Sequence, residues 1–134
     1  EAVAARYRLH FKPALMRPAD YEKLMATMKA AFIGQGKEGI VKARAAEDRL
    51  MRDTWMQEGY DLLPKLQRLR IPTLVISGDH DFFPPEIAGH IARAIPKAQL
   101  VMLKNCGHFA YLESAGEVRN ALDDFFRHSR PSRN

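Results

Sequence analysis

The sequence predicts an α/β protein in two parts, an all-helical segment followed by a βαβα portion of a parallel sheet. Three observations carry this. Through about the first 70 residues, apolar side chains recur at helical spacing and never alternate with period two. Thr73, Leu74, Val75 and Ile76 then form a continuous apolar, β-branched run, the pattern of a parallel strand buried on both faces. From Pro72 to His108 the order strand, acidic turn, helix, strand and histidine turn describes one right-handed βαβ crossover.

Composition narrows the class. The 134 residues suffice for one domain with a core, and 46% hydrophobic with 28% charged residues is ordinary for a globular chain. No apolar run approaches the roughly 20 residues of a membrane span. Glu1 to Leu15 lacks the uninterrupted apolar core of a signal peptide, so no membrane partner and a cytoplasmic location are expected. The net charge of +5 comes from basic residues scattered through helices, not gathered with aromatics into a stripe, so nucleic acid is not an expected partner. The single cysteine, Cys106, excludes an internal disulfide and a cysteine-based zinc cluster. The chain opens on Glu1 directly into helix-like sequence, which suggests a piece of a longer polypeptide.

In order along the chain, residues 1–16 read as an irregular or short helical entry that stops at Arg17-Pro18, because the residue before proline resists helical geometry. Pro18 suits a first helical turn, and Tyr21, Leu24, Met25, Met28, Ala31 and Phe32 continue that helix until Gly34. A second amphipathic helix is expected from about Glu38 to Met56, closed by Gly59, and a short third around Leu62 to Leu69. The strand Thr73 to Ser77 follows and ends at Gly78. Pro84 and Pro85 open a helix with Ile87, Ile91, Ala94 and Ile95 inward, stopped by Pro96. Gln99 to Leu103 is the second strand. Ser114 and Glu117 have capping-box spacing before the stripe Val118, Ala121, Leu122, Phe125 and Phe126 of a last helix. Two parallel strands leave unpaired edges, so further strands or a second copy are expected beside them.

Chemistry concentrates at the strand exits, where sites form in open α/β sheets. Asp79, His80 and Asp81 leave the first strand and His108 the second. With parallel strands about 4.8 Å apart, a carboxylate from one exit can meet the imidazole of the other, fix its tautomer and stabilise the imidazolium it forms. The alternatives are an Asx turn for Asp81, a turn-capping role for His108, and Asp79 as the acid. A metal held by Asp79, His80, Asp81 and His108 is disfavoured because adjacent residues of an extended turn point apart. Cys106 is expected to face the core, and His80 and His90 to be exposed. Phe82, Phe83, Phe109 and Tyr111 flank the two turns and are read either as pocket lining or as wedges against the sheet.

PTLVISGDHDFFPPE and NCGHFAYLE together resemble the α/β-hydrolase fold, in particular its capped proline iminopeptidase-like and esterase-like members. The resemblance implies that residues 1–60 are a helical cap, 61–127 the C-terminal part of the hydrolase core, and 128–134 a disordered basic tail. It implies Asp81 as the triad acid and His108 as the general base; Phe82 and Phe109, which flank them, are the candidates for substrate contact. Acidic residues of such caps hold a substrate amine, a role open to Glu38, Glu47 and Glu58, although on Lys- and Arg-rich helices these read as solvated ion-pair partners. The family's nucleophile sits in Gly-x-Ser-x-Gly upstream of the acid, and this sequence has no such motif. The expected function is therefore the C-terminal portion of a serine hydrolase acting on an ester or an N-terminal prolyl bond, inactive as an isolated chain and using no cofactor or metal. Its expected partners are a small-molecule ester or peptide substrate, the N-terminal half of the same protein, and a second copy at the sheet edge. The alternative is a non-catalytic interaction module.

Overall fold

The computed structural model describes Ala5, Arg8, Leu9 and residues 11–129. The chain divides into two compact units: one takes in the N-terminal stretch to Tyr21 together with everything from Leu63 onward, the other is Glu22–Leu62. The 1–60 cap expected from sequence is thus divided, because the stretch ending at Tyr21 belongs with the strand-containing unit. Arg130 and Arg133 of the expected tail lie outside the described residues, while His128 still belongs to the last helix.

After a single 3-10 turn at Pro18–Asp20, a long helix, α1, runs Tyr21–Asp53 with one break at Gly36. Two helices separated at Gly34 were expected; the break falls two residues later. Gly36 has φ 65° and ψ 176°, a conformation that costs a side-chain-bearing residue too much and glycine little. Phe32, Ile33, Ile40 and Val41 line a shallow apolar groove on either side of the break. α2, Leu63–Leu66, is one turn, continued to Leu69 by tighter turn bonds such as Leu69 N–H to Leu66 O at 3.0 Å.

β1, Thr73–Gly78, and β2, Ala98–Leu103, pair in parallel with Thr73 opposite Ala98 and Gly78 opposite Leu103. The helix between them, α3 (Pro85–Ala94), packs on both strands. Pro85 sits in its first turn, and Ile95 is extended at φ −96°, ψ 117° under the constraint of Pro96. Burial departs from expectation here. Thr73 to Ser77 are only half-buried, since among the described residues β1 has a single strand beside it and the helices packed on it do not close both faces. α3 buries Ala88 and Gly89, with Ile95 just beyond it, and leaves Ile87 and Ile91 exposed; the small residues permit the closest approach.

The last two helices, α4 (Ala110–Glu113) and α5 (Ala115–His128), meet at Ser114. Ser114 is the N-cap of α5, but its side chain makes no capping bond, so the capping box is not formed.

Candidate active site

The strand exits are held together by backbone before any side chain acts. Asp79 N–H donates to Leu103 O and His80 N–H to Cys106 O, each at 3.0 Å, which carries the parallel pairing past the end of β1. This closeness requires glycine at 78: a Cβ there would lie 2.1 Å from Cys106 O and 2.5 Å from Gly107 O. Asn105 takes a positive φ of 50° in the tight turn between β2 and the histidine, a region asparagine tolerates.

Asp81 and His108 meet across these turns. Nδ1 of His108 lies 3.0 Å from Oδ1 and 3.1 Å from Oδ2 of Asp81, whose side chain is 10% exposed against 32% for the imidazole. An ionised carboxylate only accepts, so the shared proton belongs to Nδ1 and the lone pair to Nε2. Oδ1 of Asp81 also accepts the Phe83 N–H at 3.0 Å, so the carboxylate forms an Asx turn and meets the imidazole at once.

Asp79 serves a different partner. Its Oδ1 lies 2.7 Å from His80 Nδ1 and accepts the Cys106 N–H at 3.3 Å, with Lys104 Nζ 3.8 Å from Oδ2. The His80 hydrogen bond, aided by the Cys106 N–H and the nearby positive charges, outweighs partial desolvation and holds this carboxyl below the usual range. Asp79 thereby ties the two turns together, and His80 is drawn to it and away from His108. Among the described residues no group of three or more His, Cys, Asp or Glu side chains is arranged to hold a metal ion.

Aromatic rings surround the imidazole. Phe82 lies 4.3 Å from it centroid to centroid, Phe83 5.8 Å, and Phe109 5.1 Å in an edge-on arrangement at 86°. Phe109 in turn meets Phe11 at 5.7 Å. Phe82 and Phe83 are about half exposed, so the wall they form is open to a ligand.

Among the described residues beside the strand exits, neither Ser77 nor Cys106 presents a free nucleophile. The Ser77 hydroxyl is turned to Gly78 O at 3.5 Å. Cys106 is fully buried, its Sγ 3.6 Å from Gly107 O, and burial together with the charges of Glu113, Glu117 and Asp79 pushes the thiol up against the opposing Ser114 hydrogen bond. A protonated, enclosed thiol is a poor nucleophile.

Two features were not anticipated from sequence. The stretch from Phe11 to Arg17 packs against the histidine turn, with His108 N–H donating to Ala14 O at 2.8 Å. Glu113, 6% exposed, anchors that stretch through Oε2, which accepts the Met16 N–H at 2.6 Å and the Arg17 N–H at 3.4 Å. The available signal was an acidic residue ending the otherwise apolar Phe109-Ala110-Tyr111-Leu112 run.

Comparison with known proteins places this geometry in context. A family model described as alpha/beta hydrolase fold matches residues 7–115. A 2-hydroxy-6-oxononadienedioate/2-hydroxy-6-oxononatrienedioate hydrolase of Pseudomonas putida is 35% identical over 69 residues, 51% of this chain and 24% of that protein. A proline iminopeptidase of Lactobacillus crispatus is 31% identical over 63 residues, 47% of this chain and 22% of that one. The crystal structure of an enol-lactonase from Burkholderia xenovorans superposes with a TM-score of 0.66 at 25% identity, over 95% of this chain and 46% of the other. These matches span about a quarter of the curated relatives' length and under half of the lactonase's.

Proposed function

Because the chain belongs to the α/β-hydrolase fold family, we propose that Asp81 and His108 are the acid and general base of a hydrolase acting on an ester or an N-terminal prolyl bond. The supporting observation is the bonding of both Asp81 oxygens to Nδ1, at 3.0 and 3.1 Å, which presents Nε2 as the proton acceptor. The nucleophile is a serine from sequence outside these 134 residues. Its Oγ attacks the substrate carbonyl as its proton passes to Nε2, and Asp81 stabilises the imidazolium so formed. Nε2–H then protonates the departing alkoxide or amine, leaving an acyl-serine. A water molecule gives a proton to Nε2 and its hydroxyl to the acyl carbon, and as the acyl–Oγ bond breaks Nε2–H returns that proton to Oγ, releasing acid and free serine. Phe82 and Phe109 line the acyl or side-chain pocket beside the imidazole. The chain by itself is inactive, since acid and base without a nucleophile have nothing to activate.

The test uses the polypeptide that carries the upstream nucleophile together with this sequence. A fluorophosphonate probe is expected to label it, and His108→Ala to abolish the labelling. Equal labelling of the variant removes His108 from the mechanism. Absence of p-nitrophenyl ester and Pro-arylamide turnover in the unaltered polypeptide favours a non-catalytic module.

A further inference from the structure

We propose that Glu113 is a positioning residue for His108, acting through the 14–17 turn. This rests on the assignment of His108 as general base. The imidazole has two anchors: Asp81 holds the ring at Nδ1, and Ala14 O holds the backbone N–H at 2.8 Å. Ala14 is in turn fixed because the next residues are stapled to Glu113. Oε2 accepts from Met16 and Arg17 N–H, and the Arg17 guanidinium returns to donate to the Glu113 carbonyl oxygen. The same residue thus grips the turn with its side chain and its main chain.

The carboxylate is an unusual choice for a merely structural grip. It is 6% exposed, and its Oε1 is buried without a hydrogen bond among the described residues. A half-satisfied buried carboxylate is costly, and a neutral side chain or a shorter contact would hold a turn at less expense. What the charge adds is a stronger bond to the Met16 N–H at 2.6 Å, hence a stiffer turn. The notch it occupies exists because residue 107 has no side chain. A Cβ there would meet Ala14 O at 2.5 Å, Met16 N at 2.7 Å and Glu113 Oε1 at 2.8 Å. Gly107, Glu113 and the 14–17 turn therefore interlock directly behind the base, and loosening this packing frees the backbone of His108 while leaving Asp81 untouched.

The experiment is NMR on the full 134-residue chain, reading amide hydrogen exchange and the His108 Nδ1–H resonance in Glu113→Ala, Glu113→Gln and Asp81→Asn. Glu113→Ala is expected to raise exchange at the Met16 and His108 amides at least tenfold and to broaden the Nδ1–H signal, with the β1 and β2 amides within threefold. Glu113→Gln, which keeps an acceptor for Met16 N–H but loses the charge, is expected to give a smaller increase, about threefold, confined to the same two amides. Asp81→Asn weakens the Nδ1–H signal severalfold and leaves His108 amide protection in place. Unchanged His108 protection and an unchanged Nδ1–H signal in Glu113→Ala overturn the proposal. An Nδ1–H signal indifferent to Asp81→Asn overturns the acid-base reading and not the clamp. Should Glu113→Ala not fold, Glu113→Gln decides: a selective increase at Met16 and His108 supports the proposal, and a uniform change or none refutes it.

Discussion

Replacing Asp81 by asparagine isolates what the carboxylate does for the imidazole. Both Asp81 oxygens lie within 3.1 Å of Nδ1, so either orientation of the new amide places an NH2 group beside a ring nitrogen that carries its own proton. The ring escapes this clash by moving its proton to Nε2 and accepting at Nδ1. A charge-assisted hydrogen bond contributes roughly 1.5–3 kcal/mol. With the imidazole 32% exposed, solvent reduces this to about 1–2 kcal/mol. At about 1.36 kcal/mol per factor of ten, Asp81 favours the Nδ1–H tautomer by roughly 5–30-fold. Nitrogen-15 NMR of the neutral imidazole in alkaline buffer reads this ratio directly. Asp81→Asn is expected to lower the Nδ1–H to Nε2–H ratio by about tenfold or more. In a polypeptide that includes the nucleophile, the same substitution is expected to reduce kcat by about 10⁴-fold, the cost of the wrong tautomer in a triad. A tautomer ratio identical to that of the unsubstituted chain would refute the reasoning, because the carboxylate would then not be selecting the proton's position.

Two further outcomes follow from the packing behind the site. Gly107→Ala drives a methyl group into Ala14 O and Met16 N, backbone atoms that cannot swing aside, and is expected to cost about 1–3 kcal/mol in urea unfolding; an unchanged midpoint would show that the 14–17 turn yields freely. Cys106 has a folded-state pKa raised above its ordinary value of 9.0, first by burial. Its contribution to stability is therefore complete below about pH 9 and lost as pH rises past it, because the unfolded chain ionises first. Denaturation midpoints should fall between pH 9 and 10 in the parent chain and less in Cys106→Ala. Iodoacetamide at pH 8 should alkylate the native thiol at least about 100-fold more slowly than the unfolded one, since access requires local opening. Comparable rates would mean that the thiol is open to solvent.

The sequence alone determined the elements whose cause is local. Thr73 to Ile76 is β-branched and apolar, Pro85 opens a helix, Pro96 forces Ile95 out of one, and glycines end or break what precedes them. The order of these elements placed Asp81 and His108 at neighbouring strand exits, because parallel pairing leaves little freedom in where a strand ends. Local pattern could not say which glycine bends α1, since Gly34 and Gly36 are equivalent until φ is known, nor that α3 would approach the strands through Ala88 and Gly89. It also left two acids open as the partner of His108, Asp81 and Asp79. Only the folded backbone, with His80 turned to Asp79 and Asp81 turned to His108, chose between them. The grip of Glu113 on the turn behind His108 was the least legible feature of all. Met16 and Glu113 lie 97 positions apart, and no spacing rule links them. Their contact exists because Gly107 leaves room for the N-terminal stretch, and a vacancy of that kind is a property of three packed segments together.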